Sequence, residues 1–65
     1  MKINLKDIYA KMEKWYAAFI VSEGKDNSYN ELYKSLHTLY CANLISHDTW
    51  NKITDYDAKL FFKYV

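Results

Sequence analysis

No arginine occurs anywhere in this chain; its positive charge rests on nine lysines. Arginine supplies the planar, forked contacts that favour phosphate and guanine. Its absence, with eight acids holding the formal net charge to +1, argues against strong nucleic-acid binding. Proline is absent too, and Gly24 is the single glycine. Such sparse punctuation favours a few long helices over many short strands. Cys41 is the single cysteine. It permits no intrachain disulfide and fits a reducing, cytoplasmic setting. The charged stretch Met1–Asp7 has the form of neither a signal peptide nor a membrane span, and no apolar run in the sequence is long enough to cross a bilayer. A protein that works away from membranes is expected.

What the chain has in abundance is aromatic rings. Seven tyrosines, three phenylalanines and two tryptophans occupy 65 residues, a length that supports one domain over 1–65. So small a domain leaves much of its surface exposed and depends on good helix packing. Its core can absorb several rings. The surplus is expected at the surface, where tyrosine is a common interface residue.

The apolar spacing predicts an all-α, compact three-helix bundle with helices over about 5–22, 29–43 and 47–64. In the first, Leu5, Ile8, Tyr9, Met12, Trp15, Tyr16, Phe19 and Ile20 recur at helical spacing and fill an arc of roughly 140°. Asn4 is the expected N-cap, Asp7 suits the helix N-terminus, and Gly24 fits the left-handed position that ends a helix. Ser28 and Glu31 have the spacing of a capping box for the second helix. Its apolar face is Tyr29, Leu32, Tyr33, Leu36, Leu39, Tyr40 and Leu44, and Asn43 is the expected stop. Ser46 should cap the third helix, with Asp48 in its first turn. There Trp50, Ile53, Leu60, Phe61 and Tyr64 share a face. Asp57 intrudes on that face, and Thr54 with Asp57 forms a second possible capping pair. A continuous third helix is favoured over one broken near Thr54.

Sites for chemistry are few. His37 and Cys41 are one helical turn apart, with His47 just beyond, but one thiol and two imidazoles leave a structural zinc set incomplete. Solvated histidines and a partly buried thiol are expected, with no metal and no cofactor. No glycine-rich turn supplies an oxyanion hole for Cys41, and a bundle this small has little room for a closed substrate pocket. No enzymatic activity is expected. Asp57 reads either as a polar anchor for a partner or as a carboxylate paired inside the bundle, with a tyrosine hydroxyl or a lysine as its mate. Asp55 and Asp57 point in different directions on a helix and make no acid–base pair.

Two binding surfaces remain. The second helix, the turn Asn43-Leu44-Ile45-Ser46 and the third helix have the outline of a helix-turn-helix, with His47, Asp48, Thr49, Asn51 and Lys52 offered to a groove. Asn43 replaces the usual turn glycine, and Asp48 would be repelled by phosphate. The other surface is aromatic. Phe62 points away from the core face, Tyr56 lies at its edge, and the C-terminal end of the third helix is apolar on both sides. Ala10, Ala17 and Val21 form a second small apolar strip on the first helix. Lys6, Lys11 and Lys14 mark its solvated side.

The stretch Leu44-Ile45-Ser46-His47-Asp48-Thr49-Trp50-Asn51-Lys52-Ile53, followed by Tyr56-Asp57 and Leu60-Phe61, resembles segments in small accessory proteins of Gram-positive phages and mobile elements. The whole chain is similar to them in being short, rich in lysine and tyrosine, and free of arginine and proline. The resemblance covers about a third of the chain. Such proteins include anti-CRISPR proteins and other inhibitors that occupy a host protein's surface, and the near-neutral charge departs from the strongly acidic nucleic-acid mimics among them. These families share no common site pattern, so no functional residue transfers. The expectation is a non-enzymatic binding protein that occludes a host protein or nucleoprotein, such as a CRISPR effector. Tyr29, Tyr33, Tyr56, Phe62 and Tyr64 would be its exposed aromatic anchors, and Asp57 and Lys52 their polar partners. Homodimerisation through the C-terminal helix is a second expectation. The alternative is a small helix-turn-helix-like DNA-binding regulator.

Overall fold

The computed structural model describes residues 4–64. It consists of α1 (Leu5–Val21), α2 (Ser28–Cys41) and α3 (His47–Tyr64), the all-α bundle expected from the periodicity. Contacts climb α1 and α3 together, from Tyr9 on Tyr56 to Tyr16 on Tyr64, so these helices run parallel. Contacts with α2 run the other way, from Tyr29 on Asp57 to Tyr40 on Trp50. The chain therefore goes up, down and up again. No described helix is long and apolar enough to cross a membrane.

Each helix end has a local cause. The Asn4 side chain accepts the Lys6 N–H at 3.0 Å, and Asp7 adds a negative charge to the first turn of α1. At the other end the Gly24 N–H reaches back to the Phe19 carbonyl and the Glu23 N–H to that of Ile20. This is a Schellman closure in which Glu23 (φ 56°) and Gly24 (φ 83°) are both left-handed. Glycine alone takes that conformation without cost, and a Cβ on Gly24 would meet only the Phe19 ring, at 3.8 Å. The backbone angle is what glycine serves here, not lack of space. Asn43 (φ 63°) closes α2 in the same way, two residues beyond the last helical one.

The expected capping box of α2 does not form. Asn27 stands at the cap without a side-chain bond, and Ser28 is already helical. The Asp26 carboxylate accepts the Ser28 N–H instead, at 2.8 Å, and is placed by its own N–H donating to Ser22 Oγ. A carboxylate is the stronger acceptor at a helix N-terminus. The Ser46 cap does form, accepting the Thr49 N–H at 3.1 Å. Helix α3 then runs unbroken past Thr54, whose hydroxyl bonds back to the Asn51 carbonyl rather than capping a new helix.

Ile8, Met12, Tyr29, Leu36, Ile45, Ile53 and Leu60 are buried, with Met12, Ile53 and Leu60 almost entirely so. The periodicity anticipates all of these except Ile45, which sits in the α2–α3 connection and plugs the core from outside any helix. Three residues expected on core faces are not there: Ile20, at the last turn of α1, is 39% exposed, and Leu44 and Phe61 also face water. Leu44 follows the left-handed Asn43, which turns the chain away from the face of α2, and it is exposed. Phe61 lies roughly 100° around α3 from the fully inward Leu60, and is 53% exposed.

Candidate partner-binding surfaces

Seven residues stand out from the sequence as binding candidates: Tyr29, Tyr33, Lys52, Tyr56, Asp57, Phe62 and Tyr64. They divide among the two seams that flank α3 and the end of that helix.

The α2–α3 seam holds Tyr29, Tyr33 and Asp57. Tyr29 is not the exposed anchor expected of it. Its ring is buried edge-on against Tyr16 at 4.9 Å, and its hydroxyl donates to Asp57 Oδ1. The reason is position: Tyr29 begins the apolar stripe of α2 where all three helices meet, so its ring joins the core and its polar tip needs a buried acceptor. Asp57, the anomalous charge of α3, is that acceptor. Burial first, and then the Asp57 carboxylate, push the Tyr29 hydroxyl well above the ordinary tyrosine range. Tyr16 and Tyr33 are raised by burial and, second, by the same carboxylate. Three phenols thus surround one acid. Outside them the seam opens into a cleft of about 440 Å³ lined by Tyr29, Asn30, Tyr33, Lys34 and Asp57. At its far end Trp50 stacks on Tyr40 (5.2 Å, 8°) and touches Tyr33 and His37.

The α1–α3 seam holds Tyr56 and Lys52. Tyr56 stacks on Tyr9 at 4.4 Å and donates to Glu13 Oε2 at 2.9 Å, while Lys63 bonds the other Glu13 oxygen. The Lys63 ammonium and then the Tyr56 hydroxyl hold the Glu13 carboxyl below its usual range. Tyr56 is therefore half-buried, not freely exposed, because its hydroxyl and its ring face are both occupied. Lys52 is exposed and pairs with Asp48 one turn earlier, at 3.3 Å. A smaller hollow of about 270 Å³ brings Lys52 and Tyr56 together with Tyr9, Asp55 and Lys59.

The end of α3 carries Phe62 and Tyr64. Phe62 is 77% exposed, as its position opposite the core requires, and meets Phe61 edge-on at 5.6 Å. Tyr64 is half-buried against Tyr16 at 5.5 Å, so it too is less exposed than expected. Val21, the last residue of α1, is 84% exposed and lies beyond the level of Tyr64, since Tyr16 already meets that residue. Ala10 is exposed as well, and Ala17 half-buried. Lys6, Lys11 and Lys14 are solvated.

His37 and Cys41 do lie together, with Sγ 3.7 Å from Nε2, but the thiol is exposed rather than partly buried. His47 turns elsewhere and shares a 2.8 Å hydrogen bond with the Tyr40 hydroxyl. Among the described residues no three metal-ligating side chains converge. On the helix-turn-helix face His47, Asp48, Asn51 and Lys52 are exposed and Thr49 is half-buried.

Sequence reasoning misses Glu13, Lys34 and the hub role of Trp50. Glu13 carries no signal, since its partners lie 43 and 50 residues away. Trp50 is legible only as a core residue. Comparison with known proteins gives no match to a family model, to a curated protein or to a solved structure.

Proposed function

We propose that this chain is a small, non-enzymatic binding protein whose contact surface is the apolar pole at the end of α3. The observation that carries this reading is the Phe61–Phe62 pair. Two phenylalanines, 53% and 77% exposed, pack edge-on on each other near the end of α3. Single exposed apolar residues are ordinary, but a cluster of rings at one pole has the makeup of an interface core. Lys63 and Glu13 beside them supply part of a polar rim.

The mechanism is occlusion. The pole anchors on a host protein or nucleoprotein and the bundle blocks what that surface would otherwise bind, as phage-type inhibitors of CRISPR effectors do. Self-association through α3 would use the same rings. The competing reading, a DNA-binding regulator using the start of α3, has weaker support. Lys52 is the main phosphate-seeking charge there, and Asp48 already neutralises it.

Capture from a lysate of the source cell, with and without nuclease, tests the proposal. The expected result is a protein retained after nuclease and lost with Phe62→Ala. Capture that nuclease abolishes, that falls steeply with salt and that depends on Lys52 would favour the regulator. A dimer in sedimentation that dissociates with Phe62→Ala would assign the pole to self-association.

A further inference from the structure

We propose that the α2–α3 cleft is a receptor for an alkylammonium group, the side chain of a lysine presented by a partner protein. This rests on the reading of the chain as a binding protein but uses the α2–α3 cleft, lined by Tyr29, Asn30, Tyr33, Lys34 and Asp57, and none of the residues of the apolar pole.

Three observations point to it. First, Asp57 is held in place but only half used. Its Oδ1 accepts the Tyr29 hydroxyl, while among the described residues Oδ2 accepts no hydrogen bond and meets no cation within ion-pair distance. No buried polar atom of the described residues is left unsatisfied, so Oδ2 reaches solvent, and Asp57 is one of the residues that line the cleft. Second, the walls are aromatic. Tyr29 and Tyr33 line the cleft, their centroids 6.4 Å apart, the Tyr29 ring buried and the Tyr33 ring half-buried. An accessible ring beside a carboxylate attracts a cation twice over, through the π quadrupole and through direct charge. Third, the size suits a chain with a charged tip: the cleft measures about 440 Å³.

The anionic alternative fails on charge. Among the described residues the exposed Lys34 is the one cation lining the cleft, and the half-buried Asp57 shares that lining. Lys34 should instead act against the proposed ligand, which gives the assignment a sign that can be checked. Removing Lys34 should tighten binding, whereas a site for carboxylate or phosphate would lose it.

The test is NMR titration of the ¹⁵N-labelled chain with lysine blocked at both termini, with n-butylammonium, and with blocked norleucine as the uncharged isostere. The expected outcome is weak, saturable shifts centred on Tyr29, Asn30, Tyr33 and Asp57 with both ammonium probes and none with norleucine. Asp57→Asn keeps an acceptor for the Tyr29 hydroxyl and should weaken binding by about tenfold. Lys34→Gln should strengthen it by a few-fold. Should Asp57→Asn fail to fold, Tyr33→Leu removes a wall and should weaken binding in its place. Blocked lysine binding no better than n-butylammonium would reassign the site to free amines. Norleucine shifts equal to those of lysine, or ammonium shifts spread equally to Glu13 and Asp48, would overturn the site altogether. No partner enters this titration, so its failure would leave the apolar pole untouched. Failure of the lysate capture would likewise leave the cleft to stand on its own data.

Discussion

Tyr56 donates to Glu13 across the α1–α3 seam, and Tyr29 donates to Asp57 across the α2–α3 seam. Each pair joins a phenol to a carboxylate over a long stretch of sequence, yet the surroundings differ. Glu13 has both oxygens engaged, by Tyr56 and Lys63, at the edge of the bundle where water reaches them. Tyr29 is buried, and Asp57 has one oxygen turned inward and one outward. The first pair is a surface clasp and is worth little. The second is a core hydrogen bond whose loss leaves a polar atom stranded. The same chemistry uses both carboxylate oxygens at one seam and leaves one unused beside the larger cleft of the other.

Substitutions can break this contrast in graded steps. The largest effect belongs to the packing both seams share. Ile53→Ala empties a fully buried site and should cost about 2–5 kcal/mol, enough to unfold much of so small a domain, as a urea melt would record. Asp57→Ala comes next. It strands the Tyr29 hydroxyl and should cost about 1–3 kcal/mol. Glu13→Ala should cost under about 1 kcal/mol, because Tyr56 and Lys63 regain water. Equal losses from Asp57→Ala and Glu13→Ala would erase the distinction between buried and exposed pairs.

The pH dependence sharpens the same contrast. Tyr29 keeps its proton in the folded chain above the pH at which the unfolded chain loses it. The stability this gives is complete below the ordinary tyrosine value of about 10 and is lost as pH climbs beyond it. Tyr29→Phe should therefore flatten the alkaline limb of a thermal-melting profile. Glu13 acts at the other end. Its lowered carboxyl contributes fully above its ordinary value of 4.5 and loses that contribution as pH falls further. Glu13→Gln should flatten the acid limb, by less than Tyr29→Phe flattens the alkaline one.

The helices are legible in the sequence because their signals are local. Periodicity finds the three apolar stripes, and Asn4, Gly24, Asn43 and Ser46 mark their ends. What stays hidden depends on contacts across the chain. Asp26 displaces Ser28 as the α2 cap because Ser22 positions it, and no local rule contains that loop. Tyr29 reads as a tyrosine at the start of an amphipathic helix, but its burial is decided by Tyr16 and Asp57. Tyr56 and Tyr64 are covered by Tyr9 and Tyr16 on α1 for the same reason. The outward direction of Phe62 is legible because helical phase alone places it opposite the core. Phe61 departs from its expected core position by one residue of that phase. The surplus of rings is real, and smaller than composition implies: it is concentrated at the α3 pole, since most tyrosines pack on one another.

Comparing urea midpoints for the parent chain and a Phe61→Ala/Phe62→Ala double variant tests most directly whether that pole is spare. If the rings serve a partner and not the fold, the two chains should differ by less than about 1 kcal/mol. A loss of about 2 kcal/mol or more would make the pair part of the bundle's own packing, and the pole would no longer qualify as a surface held open for something else.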